Sequence, residues 1–257
     1  MNSAINRSFS QPGRLAILGI MLLCTHPVFA QSADEAGVAE GNAWRFNVYL
    51  DDKEIGYHHF FVAEYGDTRQ LRSVASFDYK LLFVSLFQYD HENLEIWNGD
   101  CLQSIESRTD SNGEVFNVAG RREADEFRVA GNGVQASLPE CVMSFAYWNP
   151  AFLQQGSLLN TQNGEYVEVE ISEPVFEELE VQGELRPSFR YRLAAGELKL
   201  DLWYSTRNEW LALESDVKGG RKLRYELDVL PTADQGLAWQ GAASGVVRGQ
   251  GGSGAGQ

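Results

Sequence analysis

Leu198-Lys199-Leu200-Asp201-Leu202-Trp203-Tyr204 reads apolar, charged, apolar, charged, apolar, with Leu198, Leu200, Leu202 and Tyr204 in one phase. Side chains two apart share one face of a strand, so this stretch lays one apolar row on a core and turns Lys199, Asp201 and Trp203 toward water. The same period recurs at Phe46, Val48 and Leu50, and again at Leu223, Tyr225, Leu227 and Val229. Half-buried antiparallel strands have this pattern. Asn98-Gly99, Asn112-Gly113, Asn132-Gly133 and Asn163-Gly164 are pairs that tolerate the positive φ angles of tight hairpins. Strand and turn alternate from Trp44 to Leu230. The expected fold is mainly β: a single large curled antiparallel sheet, an open barrel or half-barrel built as a meander.

One stretch breaks the alternation. Pro139-Glu140-Cys141-Val142-Met143-Ser144-Phe145-Ala146-Tyr147-Trp148 carries large apolar groups on every side. Asn149 then stands as an N-cap, Pro150 at a first helical position, and Gly156 as a stop, which predicts a short helix from Pro150 to Gln155. A segment apolar all round must be buried. Residues 139–155 are therefore expected to form a short helical plug on the concave face of the sheet. The Phe77–Trp97 region is also aromatic-rich, and Leu81–Phe87 is apolar on both faces, which fits coverage from both sides or the lining of an apolar cavity.

The ends read differently. Arg7 and Arg14 precede the apolar run Leu15–Cys24, and Val28-Phe29-Ala30 follows the break at Pro27. That run is too short to span a bilayer, and the pattern predicts a secretory signal over 1–30 cleaved between Ala30 and Gln31. Residues 31–42 read as a flexible lead-in, 43–231 as one β domain, and 232–257 as a disordered Gly/Ala-rich tail. The expected location is the periplasm, with no transmembrane segment in the mature chain. A net charge of −15, which becomes more negative once Arg7 and Arg14 are removed, argues against nucleic acid and against a polybasic grip on anionic lipid. Cys101 and Cys141 remain after export, and an oxidising compartment favours a bond between them. The competing reading is a reactive Cys141, which has no visible basic neighbour to lower its pKa.

No sequence motif fixes a chemistry. There is no nucleophile elbow, phosphate-cradling loop or dinucleotide fingerprint, and no cofactor is expected. His58 and His59 point to opposite faces of any strand, so they do not ligate one metal together; a site from His59, His91 and a carboxylate lacks a zinc-type spacing. Fourteen Phe, ten Tyr and six Trp are either core or the lining of an apolar pocket. In the second case Phe145, Tyr147, Trp148 and Phe152 face Phe83 and Phe87 across it.

The plug motif Pro139-x-Cys141-Val142-Met143-Ser144-Phe145-Ala146-Tyr147-Trp148-Asn149-Pro150 resembles the signature of the bacterial exported family called domain of unknown function 6134. Glu54-Ile55-Gly56-Tyr57-His58, Tyr89-x-His91, Gly99-x-Cys101-Leu102, Asp201-Leu202-Trp203-Tyr204 and Trp210-Leu211-Ala212-Leu213-Glu214 match its pattern in order. The layout also looks like the periplasmic lipoprotein-carrier half-barrels, in which a curved sheet wraps helices and an apolar cavity. The family resemblance brings little function and the carrier resemblance is one of architecture alone; the export signal, the wide apolar sheet and the absence of catalytic motifs point to a non-enzymatic binder of a lipid or other apolar small molecule. Two alternatives stand beside it: an accessory protein that docks an envelope protein through a sheet edge, and a hydrolase-like enzyme using His91 or His59 with carboxylates.

Overall fold

The computed structural model describes residues 43–81, 84–217 and 219–230. The expected signal with its Ala30–Gln31 junction, the lead-in 31–42, the tail 232–257 and the candidate Phe83 lie outside the described residues. The strands in chain order are β1 Ala43–Leu50, β2 Lys53–Tyr65, β3 Thr68–Leu81, β4 Val84–Asn98, β5 Cys101–Ser111, β6 Glu114–Glu123, β7 Glu126–Gly131 and β8 Val134–Pro139. The short strands β9 Ser157–Leu159, β10 Tyr166–Glu168 and β11 Glu170–Ile171 follow. Then come β12 Val175–Val181, β13 Glu184–Ala195, β14 Leu198–Ser205, β15 Trp210–Val217 and β16 Arg221–Val229.

Fourteen of these strands form one antiparallel sheet in the order β11-β13-β14-β15-β16-β1-β2-β3-β4-β5-β6-β7-β8, with β12 also on β13. The sheet is not closed. It is not one continuous meander. The first and last strands pair in its middle, from Leu50 opposite Leu223 to Arg45 opposite Val229. Two meandering arms spread from that ladder. Between them the chain leaves the sheet after Pro139, crosses the concave face and re-enters at the other edge. Alternation identifies strands but carries no information on which distant strands pair, so this closure is invisible in the pattern. The Asn112-Gly113 and Asn132-Gly133 pairs each hold two successive positive φ angles, as two-residue hairpin turns require.

The crossing segment is the plug. Its helical part is a single 3-10 turn, Pro150–Gln154, capped by Asn149, whose Oδ1 accepts from the Ala151 amide at 3.1 Å. Residues 140–149 are irregular rather than helical, and the reason is competition for the backbone. The Leu102 amide donates to the Val142 carbonyl (2.9 Å), the Leu159 amide to the Met143 carbonyl (2.9 Å), and the Phe145 amide to the Leu159 carbonyl (3.3 Å). Groups spent on β5 and β9 are not free for an i→i−4 ladder. The Cys101–Cys141 disulfide pins the plug's start to the head of β5. Val142, Met143, Ala146, Trp148 and Phe152 are buried, and Trp148 meets Trp97 edge-on at 5.8 Å. Val142, Met143 and Phe152 each contribute about 1.5–3 kcal/mol of burial free energy.

Trp203 departs from its expected exposure. It lies on the outer face, yet the tip of the β12–β13 hairpin curls over that face: Gln182 donates to the Asp228 carbonyl (2.6 Å), and the Trp203 indole donates to Glu177 (2.6 Å).

Candidate functional site

The plug does not fill the whole concave face. Toward the end carrying the β1–β2, β13–β14 and β15–β16 turns, it leaves a cavity of about 620 Å³. Leu50, Phe87, Leu198, Val217 and Leu223 line its outer part. Phe145, Tyr147 and Trp148 roof it from the plug, together with Asn160, Thr161 and Gln162 from the β9–β10 turn. That turn is fastened to the sheet, since Ser107 donates to the Thr161 carbonyl and Thr109 donates to the Gln162 carbonyl at 3.4 Å.

The inner part is polar, and sheet register builds it. His58 on β2 lies opposite Ala75 on β3, which lies opposite His91 on β4, which lies opposite Thr109 on β5. Ala75 is the small member of the row, and it lets the two imidazoles approach edge to face at 6.4 Å. One rung along, Ser73 pairs with Asn93, and both line the cavity. His58 Nδ1 lies 3.2 Å from the Tyr225 hydroxyl, and His91 Nδ1 lies 2.8 Å from the Thr109 hydroxyl. His58 Nε2 and Asn93 Oδ1 are covered and have no hydrogen-bond partner.

Burial sets the charge state of this row. It pushes the His91 pKa down to about 4 and that of His58 well below its ordinary value, so both rings are neutral at neutral pH. Burial also raises the Tyr89, Tyr147 and Tyr225 hydroxyls, which keep their protons. Among the described residues, no Asp, Glu, Lys or Arg lines the cavity. Glu95, further along β4, is buried behind it and accepts from Asn93 Nδ2 (3.0 Å) and the Trp97 indole (2.9 Å); burial pushes its carboxyl up.

Phe145, Tyr147, Trp148 and Phe87 line the cavity, whereas Phe152 is fully buried behind Tyr147 and Tyr204. His59 stacks on Tyr57 at 4.6 Å on the opposite face of β2, so His59 and His91 do not converge. No cluster of metal-ligating residues occurs among the described residues. His58, Ser73, Asn93 and Tyr225 were missed by reading motifs. Parity was the available signal for His58, because it shares a phase with the buried Phe60 and Val62.

A family model described as Domain of unknown function (DUF6134) matches residues 46–228. A search of curated proteins finds no match. Among solved structures, the chain is similar to a beta-barrel-like protein of domain of unknown function DUF1849 from Brucella abortus, with a TM-score of 0.53 and 10% identity. The match covers 75% of this chain and 98% of that one, and at this identity it speaks to fold alone.

Proposed function

For this chain, which belongs to the family described as Domain of unknown function (DUF6134), we propose the binding of an apolar, lipid-like molecule in the cavity under the plug, and a periplasmic location, which the signal-like pattern of residues 1–30 supports. The observation that carries this reading is the unfilled cavity of about 620 Å³ within a concave face that is otherwise packed. Its size lies in the range of small-molecule sites, about 300–1,000 Å³, and its lining is apolar and aromatic with a few polar groups at one end. Each methylene of a ligand buried there contributes about 0.8 kcal/mol.

The test is native mass spectrometry of the full chain as its own host processes it, followed by organic extraction. A lipid or other apolar molecule retained at near one per chain supports the reading. A clean ligand-free mass that stays unchanged after incubation with lipid mixtures overturns it.

One observation favours a second reading, the docking of an envelope protein. Edge strand β12 and its neighbour β13 present Phe176 (61% exposed) and Leu185 (65% exposed) on one face. Exposed apolar groups beside an open edge are features of interaction surfaces. Site-specific crosslinking from position 185 in living cells reads this directly; a protein adduct lost on Phe176→Ser supports it, and no adduct removes it.

A further inference from the structure

The polar row at the inner end of the cavity is not needed to hold an alkyl chain. Buried polar groups in folded proteins nearly always have partners, and each exception calls for an explanation. Here three covered polar atoms of cavity-lining residues are unpaired, Trp148 Nε1 in the roof and His58 Nε2 and Asn93 Oδ1 in the polar row. We propose that the ligand is an uncharged lipid with one buried hydroxyl, such as a long-chain alcohol, and that His58, His91 and Asn93 hold that hydroxyl at the inner end. This rests on the cavity reading above and names the chemistry of its occupant.

The hydrogen-bond network sets the donors and acceptors. Thr109 gives its proton to the Gln162 carbonyl, so it accepts from His91 Nδ1, and His91 Nε2 keeps a lone pair. Asn93 gives one amide proton to Glu95, and its Oδ1 is left as an acceptor. His58 Nδ1 pairs with the Tyr225 hydroxyl, and with the tyrosine as donor the ring proton sits on His58 Nε2. One donor and two acceptors complement a hydroxyl, which both accepts and donates. A carboxylate or phosphate fits poorly. It brings no proton for the two acceptors, and among the described lining residues it meets no counter-charge to offset its lost hydration.

The experiment uses the full chain with nitrogen-15 histidine and labelled phenylalanine rings, titrated by NMR with dodecanol, dodecane and dodecanoate at pH 7.5. The rings of Phe87 and Phe145 report entry into the cavity; the imidazole nitrogens report contact with the polar row. The expected result is that dodecanol shifts both sets, dodecane shifts the rings alone, and dodecanoate binds at least about tenfold more weakly than dodecanol. A His91→Phe/Asn93→Leu variant should lower the alcohol-to-alkane affinity ratio about tenfold, the equivalent of one to two net hydrogen bonds. Ring shifts with unmoved imidazole nitrogens in dodecanol would overturn the inference and leave the cavity reading standing. So would dodecanoate binding as tightly as the alcohol. If none of the three probes shifts the rings, the cavity reading fails and takes the inference with it.

Discussion

The two ends of the concave face are made by the same strands and have opposite fates. At one end Trp97, Leu102, Ile105, Trp210 and the plug residues Val142, Met143 and Phe152 interlock and are almost wholly buried. At the other, Leu50, Phe77, Phe87, Leu198 and Leu223 point the same way and meet a cavity. Strand alternation is equally good in both. The difference is what the crossing segment supplies. A curved sheet makes an apolar wall, and only the plug decides whether that wall becomes core or lining. Stability should therefore reside in the plugged end and ligand binding in the open end.

The largest test of that division is Trp97→Ala. It removes a fully buried ring packed on Trp148 and takes a donor from buried Glu95, so it should cost about 5 kcal/mol in urea unfolding. Phe87→Ala in the open end should cost about 1–2 kcal/mol, because its ring already faces empty space. Equal losses would break the comparison. Next comes the tether of the plug. Cys101→Ser/Cys141→Ser opens a loop of 40 residues and should destabilise by about 4 kcal/mol on the chain-entropy account. Denaturant melts that coincide with wild type would show that the plug holds without it.

The polar row gives a pH signature. Folding lowers the His91 pKa to about 4, against about 6.5 in the unfolded chain. The unfolded state thus binds the extra proton between those values, and stability falls as pH drops from 6.5 toward 4, by up to about 3 kcal/mol from this group. Buried Glu95, with its raised pKa, works in the opposite direction over its own range. The contribution of His91 is isolated by His91→Phe: its stability curve should lack about one proton of uptake over that window. Parallel curves for variant and wild type would place a charged His91 in the fold. The smallest expected effect on stability is Leu200→Phe, which grows a lining residue into the cavity. It should change stability by under about 1 kcal/mol and weaken apolar ligand binding tenfold or more. A loss of several kcal/mol would mean that the open end is packed after all.

Much of this was legible in the residues. Leu200, Leu202 and Tyr204 announce a strand with one buried face, and they are buried. The all-round apolar stretch Val142–Trp148 announces burial, and Asn149 announces the cap of the turn that follows. The pairing of Cys101 with Cys141 was legible from their number and context. Three things were not. The β1–β16 ladder depends on which distant strands meet, and alternation has no address for a partner. The irregular path of residues 140–149 depends on hydrogen bonds to Leu102 and Leu159, on other parts of the chain. The polar row depends on register across β2–β5, which brings His58 rather than His59 beside His91. Gly56 marks a register irregularity between β1 and β2 that hides the phase of His58 from anyone counting forward from Ile55. Its φ is 149°, and a Cβ there would fall 1.9 Å from the Ser76 carbonyl oxygen.

The most direct measurement is diffraction from a crystal of the protein pressurised with xenon, which enters apolar cavities and avoids packed core. The account predicts xenon among Leu50, Phe77, Leu213 and Tyr225, and none between Trp97, Trp148 and Phe152. An open end with no xenon, its space filled by side chains, would contradict it.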